Sequence, residues 1–272
     1  MSSTYSHADI VPTLLPLREI LDLDRPTEVV DIGANPLDDA PIYDPLLEAG
    51  VCHVTAFEPQ TETMASADSP LVSKLPFAVG DGAPRVFKRC FHSGWSSTLT
   101  PSDKTLSVFS QFAAHSRVVA EETIETRRLD DIDEVQVVDL LKIDIQGGEL
   151  SVFLNAKNKL RHAVFVHTEV SYMPLYENQP SVGEVDMELR RQGFVIHRFG
   201  QFKFAIVPPL KLNDDPWMTL QQVLDGDVIY VRDYREDTKL DDDQLKQMAI
   251  IAHALYQSWD LTCRCIDVLI RR

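Results

Sequence analysis

With 272 residues, 44% of them hydrophobic, the chain is long enough to bury a full core as one large α/β domain, or as one domain plus a small appendage. A formal charge of −16, from 42 acidic against 26 basic residues, repels polyanions and gives no footprint for nucleic acid. No apolar run reaches membrane-spanning length, and the first residues lack the basic start of an export signal, so a cytoplasmic protein without a membrane span is expected. Cys263-x-Cys265 is tighter than common zinc spacings and lies in a helical pattern, which points away from a metal site or disulfide.

Residues 8 to 23 predict a packing helix ahead of a sheet. The stretch Glu28-Val29-Val30-Asp31-Ile32-Gly33-Ala34-Asn35-Pro36 follows the breaker Pro26-Thr27 and predicts a buried parallel strand. Its carboxyl end opens, through Gly33, into the crevice where open α/β sheets bind ligands. Tyr43 to Ala49 reads as a short helix stopped by Gly50, and Val51 to Phe57 as the next strand. That strand ends in Glu58-Pro59, so a second carboxylate arrives beside the first loop, placed to hold two ribose hydroxyls. Dinucleotide sites seat a pyrophosphate on the amides of a G-x-G-x-x-G turn. Here Asn35 and Pro36 stand where the later glycines belong, and Pro36 has no N–H, so a nucleoside without a pyrophosphate fits better.

Thr61 to Ala67 is expected as the next crossover helix, and Leu75 to Val79 as a short strand running into Gly80-Asp81-Gly82. An extra strand over Arg85 to Phe91, a loop from His92 to Thr98, a helix flanking the site from Lys104 to His115 and a strand over Glu122 to Leu129 follow. The second informative stretch is Val137 to Glu149, a buried strand ending in Lys142-Ile143-Asp144-Ile145-Gln146-Gly147-Gly148-Glu149. Side chains alternate along a strand, so Lys142 and Asp144 share one face. Ala163 to Val170 again ends in polar groups, with His167 and Glu169 on one face. Ser181 and Glu184 form a capping box for a helix to Gln192, and Phe194 to Phe199 and Asp227 to Val231 supply the last strands. From Asp241, Leu245, Met248, Ala249, Ala252, Leu255, Tyr256 and Trp259 recur at helical spacing, a packing stripe that either covers the domain or joins two subunits.

The Asp-Ile-Gly-Ala-Asn turn with its following Glu58, and the Lys-Ile-Asp-Ile-Gln-Gly-Gly-Glu run, resemble the FkbM family of S-adenosylmethionine-dependent methyltransferases, in ordered pieces from Glu28 to Val231. The resemblance implies a Rossmann-like class I methyltransferase fold: α/β, a mostly parallel seven-stranded sheet with helices on both faces, and a last strand inserted inside an antiparallel edge hairpin. The organisation expected is an N-terminal helical segment (1–27), an S-adenosylmethionine-binding domain (28–234) and a C-terminal helical extension (235–272), the last either a cover for the domain or a surface for a homo-oligomer. It further implies S-adenosylmethionine as cofactor and O-methylation of a hydroxyl on a sugar, glycolipid or small natural product, so that the partner is a small-molecule or carbohydrate acceptor. On that reading Asp31, Gly33, Ala34 and Asn35 line the methionine part, Glu58 with Pro59 the ribose and Asp81 the adenine edge, while Asp144 faces the methyl group. For Asp81 an ordinary turn is an equal alternative.

Methyl transfer from a sulfonium to a hydroxyl demands in-line alignment and removal of one proton. His167 and Glu169 are the candidates for that proton or for holding the acceptor; Asp144 with Glu169 could instead hold a divalent metal, although two carboxylates leave the metal unassigned. The competing functions are a nicotinamide-dependent oxidoreductase, which the missing glycines disfavour, and a non-catalytic nucleoside-binding module.

Overall fold

The computed structural model describes residues 6–34, 40–59, 69–215 and 217–272. The expected helix over Thr61 to Ala67 and the expected site residue Asn35 lie outside them. The amino-terminal half contributes α1 (His7–Ile20), β1 (Thr27–Ile32), α2 (Asp44–Glu48), β2 (Cys52–Phe57), β3 (Val72–Leu75), β4 (Ala78–Val79), β5 (Arg85–Cys90), α3 (Asp103–Val108), β6 (Val118–Ile124) and β7 (Thr126–Arg127). The remainder supplies β8 (Leu140–Ile143), α4 (Glu149–Leu154), α5 (Lys157–Leu160), β9 (Phe165–Ser171), α6 (Val182–Arg191), β10 (Phe194–Ala205), β11 (Gln222–Arg232), α7 (Asp242–Ala254) and α8 (Trp259–Arg271).

Seven strands form the central sheet in the order β3-β2-β1-β8-β9-β11-β10. The first five run parallel, and β11 lies antiparallel between β9 and β10. This is the Rossmann-like class I arrangement, with the last strand inside the edge hairpin. Alternation along the strands divides the core into two layers. Val29, Val54, Leu140 and Phe165 face one apolar cluster with α1, α7 and α8, while Val30, Ile32, Phe57, Leu141, Ile143 and Val166 face the other. Both terminal segments therefore share a core with the sheet. A fork from Arg25 ties them together: its guanidinium donates to both oxygens of the fully buried Asp139 (2.6 and 2.8 Å) and to Asp243 of α7 (2.5 Å).

Several boundaries differ from expectation. The strand that joins the sheet beside β2 ends at Leu75, because Pro76 has no N–H to continue the ladder; Ala78–Val79 pairs instead with β7. The strand expected over Glu122 to Leu129 is divided: β6 pairs antiparallel with β5, and β7 turns away to β4. The flanking helix is α3 followed by a 3-10 turn at Ser110–Phe112. The final hairpin is longer than expected, with register shifts between Ile196 and Arg198 and between Phe199 and Phe202. The C-terminal stripe belongs to two helices, broken where Gln257 adopts a φ of 49°. The capping boxes Ser181/Glu184 and Asp241/Gln244 are both formed.

Candidate active site

The carboxyl ends of β1, β2 and β8 open on one cavity of about 800 Å³. Gly33, Glu58, Pro59, Asp81, Lys142, Asp144 and Gln146 line it, together with the Ser93 to Leu99 loop and Lys203. Gly33 is where the β1 turn needs glycine: φ is +83°, and a Cβ there would sit 1.9 Å from the Asp144 carbonyl oxygen. The turn can therefore lie directly against the loop after β8. Its amide and that of Ala34 donate to the Phe57 carbonyl (2.9 and 3.1 Å), which sets Glu58 beside them.

The loop after β8 is held by its own side chains. The Glu149 carboxylate, at the start of α4, turns back to accept from the amides of Ile145 (2.9 Å) and Gly147 (3.2 Å). Loss of water around this buried carboxyl pushes its pKa up to about 7 in spite of those bonds. Gln146 adopts a left-handed φ of 57°, uncommon for a residue with a side chain, and that conformation aims its amide along the cavity wall. Its Nε2 donates to Asp144 Oδ1 and to Glu169 Oε2, both at 2.8 Å, and its Oε1 lies 3.0 Å from the Tyr176 hydroxyl. Ser97 Oγ donates to the Gln146 carbonyl (2.8 Å), so the Trp95-bearing loop is seated on the same residue.

Glu169 also faces Lys203 Nζ at 2.6 Å, and Asp225 Oδ1 lies 3.2 Å from the same ammonium. Burial, and then the neighbouring Asp144, push the Glu169 carboxyl well above its ordinary range. On the other side of Asp144, burial works against the charge of Lys142, but Asp31 and Asp144 more than offset it and hold its pKa up.

The Methyltransferase FkbM domain profile matches residues 31–196. The chain belongs to the FkbM methyltransferase family. The FkbM match takes in the first motif from Asp31 onward, Glu58 and the whole run from Lys142 to Glu149, and the cofactor of the fold is S-adenosylmethionine. The 2-O-methyltransferase NoeI of Sinorhizobium fredii is 40% identical over 60 residues, 21% of this chain, so the match spans a quarter of that protein's length. Among solved structures, the magnesium protoporphyrin IX methyltransferase of Synechocystis with bound SAM is 11% identical, with coverage of 83% of this chain and 79% of that one and a TM-score of 0.36. TYW2 of M. jannaschii in complex with AdoMet is also 11% identical, covering 85% and 79%, with a TM-score of 0.34. At those scores neither likeness carries an argument.

The donor set of this FkbM domain fits a nucleoside. Glu58 is a buried carboxylate on the cavity wall, suited to a vicinal diol, and Phe57, Phe77, Val79 and Leu150 supply apolar walls for a flat base. Asp81 also lines the cavity, with Arg85 as its salt-bridge partner and the Ala83 amide donating to it (3.1 Å).

Three expected placements need correction. Asp31 is not among the lining residues: it is buried behind Gly33, where Oδ2 accepts from the Tyr43 hydroxyl (2.8 Å) and Oδ1 faces the Lys142 ammonium at 3.2 Å. It acts on the site through Lys142, whose Nζ reaches the Gly33 carbonyl at 3.5 Å. Ala34 likewise packs into the core. His167 lies away from the cavity, with Nδ1 3.3 Å from the Tyr256 hydroxyl and Nε2 3.7 Å from Asp227, because it precedes the end of β9 and falls under the C-terminal segment. Glu169 reaches the cavity only through Gln146 and Lys203.

Sequence reasoning missed Gln146, Tyr176 and Lys203 as members of the network. The only available signal was Gln146 beside two glycines. Among the described residues, the group of three side chains with metal-ligand spacing is Asp139, His162 and Asp243, away from the cavity and already bridged by Arg25.

Proposed function

We propose that this chain is an O-methyltransferase that moves a methyl group from S-adenosylmethionine to a hydroxyl of a sugar, glycolipid or small natural product. The observation that carries the reading is the continuity of one cavity. Its nucleoside end, at Gly33 and Glu58, runs past Asp144 into a region lined by His92, Ser93, Trp95 and Thr98. Bound S-adenosylmethionine supplies an already activated methyl group, so the protein's work is alignment and proton removal. Asp144, on the wall between the two regions, holds the acceptor hydroxyl and takes its proton. Gln146 fixes the Asp144 carboxylate, and Glu169 and Tyr176 fix Gln146 in turn. Trp95 and the surrounding hydroxyls offer the mixed apolar and polar surface that a sugar or polyol presents in return. The likeness to a 2-O-methyltransferase over 60 residues supports the hydroxyl as acceptor.

Calorimetry with S-adenosylhomocysteine, followed by a labelled-methyl screen across sugars, lipids and small phenols, tests the proposal. Binding of S-adenosylhomocysteine and labelling of a hydroxyl are expected. Stabilisation by NADH and none by S-adenosylhomocysteine would return the assignment to an oxidoreductase.

A further inference from the structure

We propose that Lys203 is the cation at the methyl-transfer end of the cavity, where its ammonium receives the acceptor's hydroxyl oxygen while Asp144 takes the proton. This rests on the O-methyltransferase reading above. Lys203 lies on β10, the sheet's edge strand; like its sequence neighbours Phe202 and Phe204 it is exposed, its side chain to 62%, and it lines the open side of the cavity. The antiparallel register sets Lys203 opposite Asp225 of β11, and β11 pairs in turn with β9, which carries Glu169. Three strands thus deliver one ammonium and two carboxylates to a single point, at 2.6 and 3.2 Å.

Both carboxylates are largely buried, with side chains 11% and 9% exposed, and a third, Asp144, stands nearby across Gln146. Burying like charges together is costly unless a cation is held among them. Burial disfavours the Lys203 charge, but Glu169 and Asp225 outweigh it and keep the ammonium protonated far above neutrality. A lysine so held cannot serve as the base. It can donate: an ammonium has three N–H groups, one is directed to Glu169, Asp225 lies within ion-pair distance, and an N–H is left for a ligand oxygen. Gln146 has no such reserve, since both hydrogens of its amide are committed to Asp144 and Glu169.

In this arrangement the hydroxyl oxygen bonds to the methyl carbon and the carbon–sulfur bond breaks, leaving its electron pair on sulfur. The hydroxyl proton passes to Asp144. Lys203 stays protonated and offsets the negative charge that grows on oxygen before the new bond is complete.

The test needs no knowledge of the acceptor. S-adenosylmethionine and S-adenosylhomocysteine differ by one methyl and one positive charge, so the ratio of their affinities reads the field at sulfur and cancels general damage to the fold. Calorimetry is run on the full chain and on Lys203→Met and Lys203→Arg, at pH 7 and pH 9. The groups facing Glu169 are Asp144 and Lys142 from β8 and its loop, Lys203 from β10, Asp225 from β11 and Tyr176 after β9. Lys203 is the neighbour that works against the upward push on the Glu169 carboxyl, so both pH values are measured. Loss of an ammonium at this end of the cavity should move the ratio towards S-adenosylmethionine by about fivefold. Arginine should restore the wild-type ratio. An unchanged ratio in Lys203→Met at both pH values overturns the inference, whereas a wild-type chain that binds neither ligand overturns the methyltransferase reading itself.

Discussion

Replacing Glu149 by glutamine should remove a pH dependence built into the loop after β8. The carboxyl is buried, 6% exposed, and one of its oxygens accepts from two backbone amides at 2.9 and 3.2 Å. Desolvation outweighs those bonds, and the nearby Asp144 charge adds to it, so the pKa stands at about 7 against an ordinary value of 4.5. Between those two pH values the folded chain keeps a proton that the unfolded chain has released. Stability from this group is therefore full below about pH 4.5, falls as pH rises and levels off above about pH 7, a loss of about 3 kcal/mol. Glutamine keeps an acceptor for both amides and cannot ionise; its additional N–H groups bring a pH-independent cost of about 1–3 kcal/mol if unpaired. Urea unfolding of both proteins from pH 5 to pH 8 should show the difference in stability moving by about 3 kcal/mol in favour of Glu149→Gln. A difference that stays constant with pH would refute the argument that this carboxylate ionises at a desolvation cost.

Glu58→Ala should weaken S-adenosylhomocysteine binding about tenfold or more, since a hydrogen bond to a charged acceptor is worth ~1.5–3 kcal/mol; unchanged affinity by calorimetry removes Glu58 from the site. Gly33→Ala places a methyl group 1.9 Å from the Asp144 carbonyl at a φ of +83°, so the melting temperature should drop and ligand binding should be lost; a wild-type melting curve contradicts the close approach. Asp144→Asn should lower turnover ~10²–10⁴-fold with a much smaller change in donor affinity. Normal turnover in that variant makes Asp144 structural, and activity that disappears on chelation and returns with Mg²⁺ brings back a metal mechanism.

The two strands that frame the site were legible because their signals are local. Val29-Val30 and Leu140-Leu141 are apolar runs between breakers, and each ends in an acid and a glycine, which is enough to predict burial and an opening at the carboxyl end. Caps were legible for the same reason: Ser181/Glu184 needs only three residues of separation. Alternation correctly paired His167 with Glu169 on one face of β9. It could not say where along that face the cavity ends, and His167 falls under Tyr256 while Glu169 reaches Gln146. The Glu149 clamp depends on a turn that brings its carboxylate back to the amides of Ile145 and Gly147, a path that no residue pattern displays. Lys203 was the least legible. In Phe202-Lys203-Phe204 it reads as a solvated lysine on an edge strand, and only the register of the hairpin, opposite Asp225 and three strands from β8, brings its ammonium to the cavity. Hydrophobic periodicity and turn chemistry act over a few residues and are written in the chain; the meeting of Asp144, Glu169, Asp225 and Lys203 is set by strand order, which exists only once the sheet has closed.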